Sequence, residues 1–174
     1  MVGYYLLYLY LMKHIRTMDK IDYTLTINLN EVKYDVKFDS WHKGDTTDKS
    51  IAYDNDDAEY WLVREIDSAI ADIEGELAWA VPKEEQGESA TDAIDVIPLS
   101  WAIHLQFSPS WRGSIRAMNS LAHRYVVAKV LYRWYHSADL RTQAGDHLAE
   151  ANDYLERLYM IAREDSVSLK PWRL

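Results

Sequence analysis

His147 and Glu150 stand three residues apart in a stretch with helical periodicity, so both would project from one face and could offer two ligands to a metal ion. A metal centre needs further donors, and the scattered positions of the other five His residues identify none. The paired Glu-x-x-His segments that build a di-iron site in a helical bundle are absent. Asp72, Glu74 and Glu76 alternate along a helical stretch and do not share a face, so a solvated surface explains them better than acid–base catalysis. There is no Gly-rich phosphate loop, no G-x-S-x-G elbow and no H-E-x-x-H. No cysteine is present, which removes thiolate chemistry and disulfide frameworks and gives secretion no support. The expectation is a protein that is not an enzyme, with no cofactor, no metal and no small-molecule substrate.

The composition points towards surfaces instead. Of 174 residues, 48% are hydrophobic and 27% charged, which suits one globular domain with a single core. Thirteen Tyr and seven Trp stand against two Phe, and such side chains join a large apolar body to a polar handle, as interfaces require. The commoner role for any one of them is to fill an amphipathic core. The formal charge of −9 is uneven: −2 over residues 1–56, −10 over 57–99 and +3 over 100–174. Unlike faces on one subunit suit head-to-tail contact between copies, although a solvated acidic face explains such a bias more often. An acidic chain whose cations are interleaved with core positions is a poor candidate for nucleic-acid binding.

The elements that would carry these residues follow from periodicity. The apolar run Tyr4 to Met12 falls short of the roughly 20 residues needed to cross a bilayer. Its cations follow it, so it does not read as a signal peptide. The preferred reading of residues 1–18 is an extension upstream of a natural start at Met18, with an interfacial helix or a docking segment as alternatives. Residues 23–29 and 32–38 both alternate, and a turn at Asn30-Glu31 would place Leu29, Ile27, Leu25 and Tyr23 opposite Val32, Tyr34, Val36 and Phe38. That predicts an N-terminal β-hairpin within residues 19–56, closed by a polar loop from Asp39 onward.

Asp56 with Glu59 is a capping-box pattern, and Leu62, Ile66, Ala69, Ile73, Leu77 and Ala80 form the stripe of a helix that stops before Pro82. Residues 83–96 form a long acidic connection. Leu99, Trp101, Ile103, Leu105 and Phe107 alternate as a third strand would, with a helical turn as the competing reading. Ser108-Pro109 reads as a helix entry, opening a helix that runs to His136. Its two stripes, Met118, Leu121, Tyr125, Ala128, Tyr132, Tyr135 and Ile115, Ala122, Val126, Val130, Trp134, cover enough of the circumference to make it central. Its cations Arg112, Arg116, Arg124, Lys129 and Arg133 must reach a rim or meet acids from a neighbour. After a short break at residues 137–139, Ala144, Leu148, Ala151, Leu155, Leu158 and Ala162 make the seam of a last, antiparallel helix. The fold class expected is α+β, mainly α: three main helices over residues 57–163, the hairpin, and the third strand.

Residues 57–174 resemble the helical head–tail connector, or portal adaptor, proteins of tailed bacteriophages. The resemblance rests on the order of a first helix (IDSAIADIEGELAWAV), an insert, a long helix (SIRAMNSLAHRYVVAKVLYRWYH), a last helix (ANDYLERLYMIA) and a tail (EDSVSLKPWRL). Where that family commonly leaves its last helix through a glycine, Arg163-Glu164-Asp165 follow Ala162 here. The Tyr- and Asp-rich style is similar to that of ring proteins of crAss-like phages. The resemblance implies a structural virion protein, assembled in the host cytoplasm into a ring of about twelve copies beneath the portal. DNA would pass through the bore without specific binding, and other tail or ring proteins would be neighbours. It also implies that within residues 164–174, Leu169, Lys170, Pro171, Trp172, Arg173 and Leu174 contact the portal. It does not extend to residues 23–38. The alternative is a peripheral membrane protein held by its apolar N-terminus.

Overall fold

A computed structural model describes residues 20–43, 56–82 and 97–164. Among these, the chain order is β1 (Ile21–Asn28), α1 (Leu29–Lys43), α2 (Asp56–Glu76), β2 (Ser100–Phe107), α3 (Ile115–Ser137) and α4 (Arg141–Ala162). The class read from the sequence, α+β and mainly α, holds. Two antiparallel strands lie beside a helical assembly, and α3 is the element against which α1, α2, α4 and β1 all pack.

The strand pairing differs from the expected hairpin. β1 pairs with β2, Ile21 opposite Phe107 and Asn28 opposite Ser100, while residues 32–38 lie in α1. The cause sits at Asn28, whose side-chain oxygen accepts from the backbone N–H groups of Asn30 (2.9 Å) and Glu31 (3.3 Å). That is an N-cap, and it starts a helix where a turn was expected. Leu29, Val32 and Val36, at helical spacing, are then buried, while Tyr34 and Phe38 face outward and stack on each other. The alternation of residues 32–38 was compatible with both periods. The segment assigned to a third strand becomes the true partner of β1, and Ile103, Leu105 and Phe107 join Leu25 and Ile27 in the core.

Both outer edges of this two-stranded sheet are engaged. Asn119 of α3 accepts from the Thr26 N–H at 2.7 Å, and the Ala80 carbonyl accepts from the Gln106 N–H at 2.7 Å. A free edge would offer its amides to another chain, so these two contacts limit edge-to-edge pairing. The N-terminal strand and α1 are thus parts of the same hydrophobic core as the helices.

The stripe that the sequence predicts is fully buried: Leu62, Ile66, Ala69 and Ile73 on α2, with Leu77 and Ala80 in the turn that follows it. α3 begins at Ile115, six residues later than Ser108-Pro109 suggests. Ser108 instead closes a turn, its carbonyl accepting from Trp111 N–H at 2.9 Å and its hydroxyl from Ser110 N–H at 3.2 Å. Ser114 takes the N-cap role, accepting from Ala117 N–H at 3.2 Å. The 23 residues of α3 span about 35 Å, and residues from both predicted stripes are buried, with Val127 and Leu131 added. Packed on more than one side, α3 is the centre of the fold.

The turn into α4 places Asp139 at φ 58°, a left-handed conformation that Asp tolerates better than most residues. Ala144, Ala151, Leu158 and Ala162 are buried against α3; Leu148 and Leu155 are half-buried. Small alanines in this seam allow the two helices to approach closely.

The exit of α4 has no glycine, and the structure closes it in another way. Trp111 donates its indole N–H to the Ile161 carbonyl at 3.1 Å, and Arg112 N–H donates to the Glu164 carbonyl at 3.2 Å. The turn before α3 thus adds a second donor to a carbonyl of the last helical turn and pairs the chain just beyond it. The Trp111 ring stacks on Phe107 at 4.4 Å and meets Tyr23 edge-on at 5.1 Å, anchoring the turn to the sheet. Gly113 permits the approach: a Cβ there would lie 2.7 Å from the Ile161 oxygen and collide with the Trp111 ring. Arg163 stands over the rings of Tyr159 and Trp79, at 4.5 and 5.8 Å.

Candidate docking cleft

The cations of α3 separate into two groups by what they meet. On the α2 side, Lys129 pairs with Asp72 at 2.9 Å and Arg133 with Glu65 at 3.6 Å. Asp72 also accepts from the Tyr125 hydroxyl at 2.8 Å, so it is a bridge between helices and more than the solvated carboxylate expected from sequence. Burial, together with the hydrogen bond to Asp72 and its charge, pushes the Tyr125 hydroxyl far above its usual pKa, against a smaller opposing effect of Arg133. Trp101 of β2 donates its indole N–H to Asp67, tying the sheet to α2. Burial nevertheless raises the Asp67 carboxyl, and that hydrogen bond offsets only part of the effect.

On the opposite side of the helix, α1, α3 and α4 enclose an open cleft of about 340 Å³. Its floor is Val127, Ala128 and Leu131 of α3; one wall is Asp35, Phe38 and Asp39 of α1; the other is Glu150 and Tyr154 of α4. His123 and Arg124 stand at the α3 end. His123 Nε2 and Asp35 Oδ2 are 2.8 Å apart, which joins α1 to α3 across one end of the cleft. Phe38 is 47% exposed, so the α1 wall presents an aromatic face to solvent.

Behind the α4 wall, His147 is almost fully buried and lies parallel to the Tyr135 ring at 5.3 Å. Its Nδ1 is 3.2 Å from Glu150, and the Tyr135 hydroxyl donates to the Ser40 carbonyl at 3.4 Å. Burial, and to a lesser extent the charge of Asp39, raises the Tyr135 hydroxyl above its usual pKa. This chain of contacts joins the ends of α1, α3 and α4 beneath the cleft. Of the pair whose spacing suggests metal ligands, His147 is an internal packing residue against Tyr135, and Glu150 meets it from the cleft wall. Among the described residues no group of three or more His, Cys, Asp or Glu is placed to hold a metal ion.

The cleft combines an apolar floor, aromatic walls and a rim that carries Asp35, Asp39 and Glu150 against Arg124 and His123. Such a surface can take up a bulky apolar side chain flanked by positive charge. Sequence reasoning did not locate it, because Asp35, Phe38 and Asp39 were assigned to a strand and its following loop. The signal that would have found it was Asn28-Leu29-Asn30-Glu31, a capping box in front of an i, i+3, i+7 apolar series. Leu169, Lys170, Pro171, Trp172, Arg173 and Leu174, the residues expected to contact the portal, lie outside the described residues, as do the 83–96 connection and the apolar run Tyr4 to Met12. No family model matches the chain, and it is not significantly similar to any curated protein or solved structure. What the described residues define is a mainly α, α+β domain organised around α3, with an open amphipathic cleft on one side.

Proposed function

We propose that this protein is a structural adaptor of the head–tail connector of a tailed bacteriophage, forming a ring below the portal through which DNA passes. The observation that carries the reading is the succession of α2, α3 and α4, with the long helix central and the last helix antiparallel to it, in the order on which the resemblance rests. The strong charge asymmetry along the chain supports contact between unlike faces of neighbouring copies. Large apolar side chains exposed on separate elements, Tyr34 and Phe38 on α1, Trp79 after α2, Leu99 before β2 and Met160 on α4, supply apolar surface for such contacts. A lumen past which DNA slides without sticking is compatible with an acidic chain. Portal contact falls to residues 169–174 in this reading.

The test is deletion of residues 169–174. Association with the cognate portal should be lost while the far-UV circular dichroism spectrum stays unchanged. Undiminished portal capture by the shortened chain would remove the tail from the mechanism. The peripheral-membrane alternative rests on residues 4–12, and no described helix is long and apolar enough to cross a membrane. Flotation with liposomes that disappears when translation starts at Met18 would favour that alternative instead.

A further inference from the structure

The geometry points to an intramolecular latch: the C-terminal segment Lys170-Pro171-Trp172-Arg173 docks into the α1–α3–α4 cleft of its own subunit, with Trp172 over the apolar floor.

Three observations carry it. The first is chemical fit. The floor of Val127, Ala128 and Leu131 and the flanking rings of Phe38 and Tyr154 offer an indole apolar contact on several sides. The rim carries three carboxylates, Asp35 beside His123, Glu150 beside His147, and Asp39, an acidic edge that suits Lys170 and Arg173, the cations on either side of Trp172 in sequence. Arg124 is the opposing cation at the rim, and His123 is engaged with Asp35.

The second is reach. Glu164 is the last residue described at this end, and the α4 wall at Glu150 and Tyr154 lies ten to fourteen residues before it, about 15–21 Å back along the helix axis. Five residues, to Leu169, span at most ~17 Å, and eight, to Trp172, span ~26 Å. At full extension Leu169 reaches only the near part of that wall, whereas Trp172, set between the two cations, reaches all of it. Pro171 biases Lys170 towards extended backbone, the shape a chain needs to run along a groove.

The third is size. A volume of about 340 Å³ accommodates one large aromatic side chain with its neighbouring stems. The other long apolar segment of the chain, Tyr4 to Met12, has nine residues and would overfill it.

The latch does not require the adaptor reading. If the adaptor reading is right, the same side chains serve the cleft in the free subunit and the portal in the assembly, so portal binding must displace them from the cleft. The absence of cysteine makes the test direct. Spin labels are placed in the full-length chain by Lys37→Cys on the exposed side of α1 and Ser168→Cys in the tail, and the distance distribution is measured with an excess of unlabelled protein. A single narrow distribution is expected, and its loss on Trp172→Ala or on combined Asp39→Lys and Glu150→Lys substitution. Each variant is checked for an unchanged circular dichroism spectrum. A broad distribution in the parent overturns the latch, as does a narrow one indifferent to Trp172→Ala. A narrow distribution that vanishes on dilution with unlabelled chain overturns it too, assigning the tail to a neighbouring copy. Ring formation and portal capture are read separately, so either proposal can fail while the other stands.

Discussion

Trp111 holds the exit of α4 by two separable means, and two substitutions distinguish them. Trp111→Phe keeps an aromatic ring against Phe107 and Tyr23 but removes the indole N–H that the Ile161 carbonyl accepts at 3.1 Å. A neutral hydrogen bond of this kind contributes about 0.5–1.5 kcal/mol net. Trp111→Ala also removes the ring, and loss of a large packed aromatic costs about 3–5 kcal/mol. For a chain of this size each kcal/mol moves the thermal midpoint by about 2–4 °C, so the expected losses are about 1–6 °C for Phe and about 6–20 °C for Ala. Thermal melts followed by far-UV circular dichroism measure both. Amide exchange adds a local readout, because Arg163 and Glu164 N–H donate to the Tyr159 and Ile161 carbonyls, each at 3.1 Å, in the turn that Trp111 clamps. Those two amides should lose protection in both variants. If the two substitutions cost the same, and both lie within about 0.5 kcal/mol of the parent, Trp111 is not what ends α4.

Four further outcomes are expected. Asn28→Ala should destabilise by about 1 kcal/mol in urea denaturation, and Asn28→Asp by only a few tenths, since either side chain of the cap pair can accept from α1. Tyr125→Phe should cost about 1.5–3 kcal/mol, because a hydrogen bond to the Asp72 carboxylate is lost from the α2–α3 contact. The Tyr125 hydroxyl is raised from 10.0, so its stabilisation is present at lower pH and is lost as pH climbs past 10.0; absorbance titration should find this tyrosine protonated until the protein unfolds. Asp67 is raised from 3.8, so its ionisation opposes folding: stability is greatest at or below that pH and falls as pH rises through the elevated folded value. Asp67→Asn keeps an acceptor for Trp101 and should raise the midpoint at pH 7 while leaving it unchanged near pH 3. Gly113→Ala should destabilise by about 1–3 kcal/mol, since the new methyl would meet both the Trp111 ring and the Ile161 carbonyl.

The helical part of the fold was legible because its periodicity is long and unambiguous. The stripes of α2, α3 and α4 each extend over several turns, and no strand pattern competes with them. The N-terminal region was misread where seven residues fit both periods. Val32 and Val36 sit four apart and are buried, whereas Tyr34 between them and Phe38 beyond them, core positions in a strand, are exposed aromatics on a helix. Pairing of β1 with β2 joins residues about 80 apart, and local pattern holds no information on such a contact. The Ser108-Pro109 signal was chemically sound but marks a turn, because Trp111 is drawn into the aromatic cluster and the helix waits for Ser114. The cleft is hidden in the sequence for the same reason as α1, since half of its wall belongs to that helix. The absence of a glycine after Ala162 is plain in the sequence; the Trp111 side chain and Arg112 backbone that take its place come from about fifty residues upstream, a contact that no local pattern encodes.

The adaptor reading stands or falls on assembly. Negative-stain imaging of the purified full-length protein at high concentration, alone and with its cognate portal, should show closed rings of about twelve copies around an open channel. A protein that stays monomeric in both samples would contradict it.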